Sequence, residues 1–343
     1  MLNCNKMNKK VSRKKIRLGI SVGDLNGIGM EIIAKTFSDS RIFEFCIPVL
    51  FASNQFVRDY LNKIGFSNFN FNNVDRKFSL NSKKLNVYNS WYKKVQISFG
   101  KETEEGGEYA YLSLKNSVEA LKSNQIDALV TAPINKKNIQ SENFKFQGHT
   151  EFLSDYFSSK NAHMIMVSDF LKISLMTGHV SLSSVTNFIN EKLIKEKILL
   201  SLNSLKLDFN IEKPKIAILG IDPHLGDQGV IGNVDEKIIK PAINKIFENG
   251  DLVFGPYSSD GYFASQTYKN FDLTMAVYHD QGLIPFKLIS FGGGVNYTSN
   301  LSVIRTSPDH GVAYNISGKN IANEGSFREA VFLACKIYTN RNN

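Results

Sequence analysis

Cysteine is scarce in this chain. Cys4, Cys46 and Cys335 are the three in 343 residues, odd in number and without a repeated spacing. That excludes a disulfide framework and a thiolate metal cluster, and it fits a reducing cytoplasm. Long apolar runs are missing as well. Nothing approaches the ~20 consecutive apolar residues a membrane span requires, so no membrane partner is expected. The opening MLNCNKMNKKVSRKKIRLGI has a basic section but no apolar stretch ahead of its first strand, unlike a secretory signal. Acids are absent from residues 1–17, which carry seven Lys and Arg. The net charge of +9 is therefore mainly terminal, since 34 basic side chains face 32 acidic ones over the rest. A solvated basic tail over residues 1–15 is expected, and no nucleic-acid partner. Internal repeats and low-complexity linkers are also lacking.

What is present is alternation. Apolar runs such as IRLGISV, IPVLFAS, IDALVTA, KIAILGI and LTMAVYH alternate with amphipathic stretches. In the longest of these, Ser184–Leu205, the residues Val185, Phe188, Ile189, Leu193 and Ile194 recur at helical spacing. The pattern predicts an α/β fold, two-lobed, with mostly parallel sheets covered on both faces. Without a linker, lobes that exchange chain segments are expected: 16–135 with 285–343, and 136–284. The Asn/Lys-rich segment 65–95 reads as a hairpin or surface excursion.

Histidine is rare and oddly placed. Of six, three directly follow an apolar strand: His179, His224 and His279. Ligands gather at the carboxyl ends of strands in open α/β sheets. Three imidazoles from three strands could meet on one ion and leave positions open for substrate. Asp260 and Asp280 lie beside them. Alternatively each imidazole caps its own strand by hydrogen bonding. His163 precedes its strand and is read as structural.

Other stretches suggest anion chemistry. GHTEFL sets His149 and Thr150 at a helix start, where free N–H groups favour an anion; a plain N-cap by Thr150 over a buried Leu153 is the competing reading. Lys287, Asn296 and Arg305 supply cation, amide and guanidinium within nineteen positions. The segment FGGGVNYTSNLSVIRTSPDHGVAYNISGKNIANEG reads as too polar and glycine-rich for a core. VGDLNGIGMEI carries G-x3-G-x-G and not a Rossmann G-x-G-x-x-G, so either a tight turn or a phosphate loop fits it.

Taken in order, GDLNGIGMEI, TAPINK, GHTEFL, TGHVSL, DPHLGDQGVIG, YHDQGLIPFK, FGGGVN and IRTSPDHG resemble the 4-hydroxythreonine-4-phosphate dehydrogenase family, from about Ile16 to Tyr338. HGVAYNISGKNIANEG is more distantly similar to the nucleotide loop of isocitrate and isopropylmalate dehydrogenases, which bind NAD(P) without a Rossmann fold. The resemblance implies a homodimer with an active site shared between subunits. It implies His179, His224 and His279 as ligands of one divalent ion (Zn, Mg, Mn or Co). It also implies His149, Thr150, Lys287, Asn296 and Arg305 as substrate contacts, and Asp260 and Asp280 as acidic active-site residues. NAD or NADP is expected along Asp309–Asn323, with His310, Gly311, Asn320 and Asn323.

The implied reaction removes hydride from C3 of 4-phosphooxy-L-threonine, with Lys287 or Asp280 as base. The resulting β-keto acid then loses CO2, in the route to pyridoxal 5′-phosphate. The sequence departs from the family pattern at Leu25, Met30, Asp222 and TGHVSL, with no proposed ligand lost. A 4-phospho-D-threonate or erythronate dehydrogenase would use the same groups. A non-catalytic phosphosugar binder would keep the metal and anion sites but need no 309–323 segment.

Overall fold

The computed structural model describes residues 15–74, 77–159 and 161–343; the expected basic tail lies almost wholly outside them. Twelve strands are present: β1 Ile16–Ser21, β2 Cys46–Ala52, β3 Phe71–Val74, β4 Leu85–Asn89, β5 Ala128–Thr131, β6 His163–Val167, β7 Lys172–Leu175, β8 Lys215–Leu219, β9 Leu252–Tyr257, β10 Leu273–Ala276, β11 Val295–Ser299 and β12 Arg305–Pro308. The α-helices are α1 Gly29–Ser38, α2 Asn54–Lys63, α3 Glu104–Lys122, α4 His149–Tyr156, α5 Val185–Phe188, α6 Glu191–Leu207, α7 Lys240–Glu248, α8 Ser259–Ala264, α9 His279–Ile289 and α10 Gly325–Arg341. No helix among the described residues is long and apolar enough to cross a membrane.

All twelve strands join one sheet in the order β3-β4-β2-β1-β5-β12-β11-β6-β7-β10-β8-β9. Two parallel blocks flank a short antiparallel seam at β12-β11-β6-β7. The apolar runs expected as strands sit in the parallel blocks, where both faces are covered and nearly every residue must be apolar. Leu18, Ile20, Val130, Ile216, Ile218 and Met275 are fully buried there.

The seam is what the sequence hid. The stretch 291–325, read as too polar for a core, contributes β11 and β12 to the centre of the sheet. Its hydroxyls are satisfied internally: Thr306 Oγ1 donates to Ala330 O at 2.8 Å and Ser299 Oγ to His163 O at 2.9 Å. A hydrogen-bonded hydroxyl can be buried at little cost, so polarity alone misleads. Arg305 opens β12 at the centre of the sheet.

Segment 65–95 forms no hairpin. β3 and β4 lie side by side in parallel, Phe71 opposite Leu85. Buried Asn86 secures them: its Nδ2 donates to Pro48 O at 2.9 Å while its Oδ1 accepts from Asn81 N at 2.7 Å. The helix expected over Ser184–Leu205 is interrupted, because Asn190 caps α6 by accepting from Leu193 N at 2.9 Å. YHDQGLIPFK, whose polar residues were expected at a strand end, winds into α9 with Pro285 inside it.

Candidate active site

The antiparallel seam makes the floor of a cavity of about 320 Å³. Side chains alternate across each strand, so Met164 and Met166 of β6, Asn296 of β11, and Arg305 and Ser307 of β12 reach one face together. The start of α4 brings Gly148, His149, Thr150 and Glu151; α9 adds His279, Leu283 and Lys287; the turn after β7 adds His179. Asp309, His310 and Gly311 close it from the far end of β12. Such a volume suits a small metabolite.

Arg305 is the electrostatic centre. It is 3% exposed, and its guanidinium donates only to hydroxyls: Nη2 to Thr131 Oγ1 at 2.7 Å and Nη1 to Thr298 Oγ1 at 2.9 Å. Burial brings its pKa down to about 9, with Glu151 opposing. No carboxylate bonds this buried cation, so its charge is left to favour an anion in the cavity. Burial, with Arg305 and Lys136 nearby, holds the His149 imidazole well below its usual pKa, so it is neutral at pH 7. The Nε2 of His149 and the Oδ1 of Asn296 are buried with no protein partner. Both line the cavity, and unmatched polar atoms at such a place are ligand contacts in waiting.

Gly148 stands at the N-cap of α4, with no side chain capping that end, and Thr150 lies inside its first turn. Leu153 is fully buried, as expected, but Thr150 is not the cap. The helix N-terminus thus adds its partial positive charge to the cavity wall.

His179 and His279 come together, their rings 6.1 Å apart. His279 Nδ1 lies 2.6 Å from Asp280 Oδ1, which leaves Nε2 as the available donor atom. His224 stands apart from this pair and lines no wall of the cavity. It sits exposed on a turn whose residues His224 to Gln228 all have φ between 44° and 80°, a left-handed run. The Asp260 carboxyl is held low chiefly by the hydrogen bond from Ser258 Oγ, 2.6 Å away. Among the described residues no three His, Cys, Asp or Glu form a ready metal cluster. Two imidazoles in one cavity fit part of a divalent-ion site, and a third donor has to be brought to them.

Of the expected nucleotide residues, His310 and Gly311 line the cavity, whereas Asn320 and Asn323 lie beyond it. Asn323 Oδ1 accepts from Gly325 N at 2.7 Å at the start of α10, and Asn320 O accepts from Lys35. The segment is bound down onto the β1–α1 turn. Tyr314 Oη donates to Asp24 Oδ2 at 2.9 Å, Ser317 Oγ to Asn26 O at 2.6 Å, and Ile28 N to Val312 O at 3.0 Å. This explains the glycines of GDLNGIG: a Cβ on Gly27 would lie 2.8 Å from Val312 O, and Gly23 has φ +74° against Pro133 O. Close backbone approach accounts for them without a phosphate cradle.

Sequence reasoning missed Thr131, Lys136 and Glu151 as lining residues, and Gln281 as a support. Lys136 lies in TAPINK just past β5, the one signal available. Gln281 Oε1 accepts from Val277 N at 2.6 Å, while its Nε2 donates to Gly220 O at 2.6 Å and Ser259 Oγ at 2.8 Å. It ties together the turns that carry His279, His224 and Asp260.

Fold and cavity define an α/β enzyme of small-molecule metabolism, built around a buried guanidinium and a pair of imidazoles. The chain belongs to the family described as pyridoxal phosphate biosynthetic protein PdxA, whose profile matches residues 44–334. A 4-hydroxythreonine-4-phosphate dehydrogenase of Bacteroides thetaiotaomicron is 41% identical over 332 residues, 96% of this chain and 91% of the relative. A relative from Oceanobacillus iheyensis, provisionally named a D-threonate 4-phosphate dehydrogenase, is 32% identical across 94% of this chain and 98% of its own length. The crystal structure of 4-hydroxythreonine-4-phosphate dehydrogenase from Klebsiella pneumoniae matches with a TM-score of 0.81 at 27% identity, covering 94% of this chain and 98% of that one. The chain is accordingly an oxidoreductase acting on a CH–OH group.

Proposed function

We propose that the chain oxidises 4-phosphooxy-L-threonine at C3 with NAD or NADP, giving 2-amino-3-oxo-4-phosphooxybutanoate, which loses CO2 to form 3-amino-1-hydroxyacetone 1-phosphate. The observation that carries this reading is the meeting of buried Arg305 with the His179–His279 pair in one cavity. Arg305, His149 and Thr150 bind the phosphate and carboxylate oxygens, while the Oδ1 of Asn296 accepts from a substrate hydroxyl or ammonium. Low dielectric strengthens each of those contacts and orients C3 toward the imidazoles. Glu151 and Asp309 line the same cavity and suit the substrate ammonium.

His179 and His279 would hold a divalent ion, the third donor being His224 of a second subunit in a homodimer. When bound, the ion would supply Lewis acidity toward the substrate hydroxyl and the dinucleotide would supply a hydride acceptor. Of the two candidate bases, Lys287 lines the cavity, whereas Asp280 is engaged with His279. Lys287 receives the C3 hydroxyl proton. Asp309–Asn323 would hold the dinucleotide, with His310 and Gly311 beside the substrate contacts in the cavity wall.

A second reading, oxidation of 4-phospho-D-threonate, draws on the Oceanobacillus relative and needs only the same anion contacts. NAD(P)H formation by metal-loaded protein, with the two substrates side by side, tests both. Faster turnover of the amino acid, lost in His224→Ala, is expected. Preference for the threonate transfers the assignment to the second reading, and no turnover of either overturns both.

A further inference from the structure

A second cavity, of about 470 Å³, lies on the other face of the same strands. Its lining shares no residue with the first: Val167 and Val295 face it where their neighbours Met166 and Asn296 face the active site. Its walls are aromatic, from Phe209, Phe291 and Phe332, and its charged groups are unusual. Lys172 opens β7 opposite Val167, with its Nζ 5.3 Å from the Phe209 ring centroid. Lys172 and Lys336 make no ion pair within 4.0 Å among the described residues, and Arg328 has only a 3.5 Å contact to Glu324.

We propose that this cavity binds a planar aromatic aldehyde carrying a phosphate, the chemistry of pyridoxal 5′-phosphate, and that Lys172 condenses with it reversibly. The choice of ligand rests on the family assignment and the route it names; the amine, the aromatic walls and the cations rest on geometry. Burial, aided by the charge of Lys336, lowers the Lys172 pKa and so raises the share of neutral amine. Glu329 stands in the same wall, its carboxyl pushed up by burial and by Asp169, and so able to retain a proton.

The step balances without a redox partner. The Nζ lone pair of Lys172 forms a C–N bond to the aldehyde carbon as the C=O π bond opens, and the resulting alkoxide takes one amine proton. The carbinolamine hydroxyl then leaves as water with a proton from Glu329, and the remaining N–H proton returns to Glu329 to leave the imine. Lys336 and Arg328 take the phosphate, and the phenylalanine rings flank the pyridine ring. Ile289 and Ser290, at the end of the helix that carries Lys287, line this second cavity.

The test is titration of the full chain with pyridoxal 5′-phosphate, borohydride reduction, and peptide mass mapping. One saturable equivalent on Lys172 is expected, absent in Lys172→Met and Lys172→Arg. Dehydrogenase turnover should persist in both variants, which separates this proposal from the assignment of the reaction. Lys336→Met should raise the half-labelling concentration about tenfold, as loss of one charge-assisted contact would. Unphosphorylated pyridoxal should label Lys172 more weakly. Lys172→Arg keeps the charge and length, so it decides the matter if Lys172→Met fails to fold. Labelling scattered over surface lysines or confined to Lys287, with Lys172 unmodified, would overturn the proposal as adventitious chemistry only.

Discussion

At the scale of single residues, Arg305, the proposed anion contact, carries a stability cost. Its guanidinium is buried and bonded only to Thr131 and Thr298, so no carboxylate of the chain compensates the desolvation of its charge. Arg305→Met should leave the melting temperature of the ligand-free protein equal or higher, while kcat/KM falls about 100- to 1,000-fold. Thermal melts beside steady-state kinetics check both halves; a large drop in melting temperature would show that the guanidinium is structural. His163 is the opposite case. It opens β6, is 3% exposed, and bonds Ser201 Oγ at 3.1 Å. Burial lowers its pKa from 6.5 to about 3. Between those values the unfolded chain binds the proton and the folded chain does not, so its contribution is complete above pH 6.5 and is lost as pH falls toward 3. The slope is up to about 1.4 kcal/mol per pH unit. His163→Asn should flatten the acid limb of a denaturant-midpoint profile over that window and leave kcat at pH 7 unchanged. Buried His149 adds to the same limb with the same sign.

Elements decide how these residues are presented. The turn carrying His224 holds four non-glycine residues in left-handed conformation around Gly226. Each such residue costs roughly 1–2 kcal/mol, so the turn is retained by its surroundings. Ile221 N and Asp222 N both donate to the Asp235 carboxylate at 2.9 Å, and Gln281 bonds Gly220 O just ahead of them. Gln281 thus supports both proposed metal-binding turns without touching the cavity. Gln281→Leu should weaken divalent-metal affinity about 10- to 100-fold by isothermal titration, with far-ultraviolet circular dichroism unchanged. Unaltered affinity would confine Gln281 to packing.

Over the whole molecule, one chain supplies the anion site and two imidazoles, whereas His224 stands elsewhere. A homodimer in which each subunit lends His224 to the other makes a quantitative prediction. His224→Ala and His279→Ala chains are each inactive as homodimers. Co-expressed in equal amounts, half the dimers are mixed, and each has one site with all three histidines. About a quarter of parental activity should return. No recovery in verified mixed dimers would mean that the three histidines act within one chain.

The sequence by itself determined the alternating α/β frame and most of the polar side chains that line the cavity. Both are local signals: an apolar run long enough for a strand buried on two faces, and polar residues where that run ends. It also separated His163 from the other histidines by its position before a strand. Only the tertiary structure decided that β11 and β12 are central, because their polarity is cancelled by bonds to His163 O, Ala330 O and the Arg305 side chain, far away or hidden in sequence. Parallel pairing of β3 and β4 depended likewise on Asn86, a residue that discourages strands until its amide finds Pro48 O across the sheet. The same holds for the separation of His224 from its two counterparts. Spacing along the chain reports which residues follow strands; which of them meet is set by the order of strands in the sheet, and that order is a sum of long-range contacts.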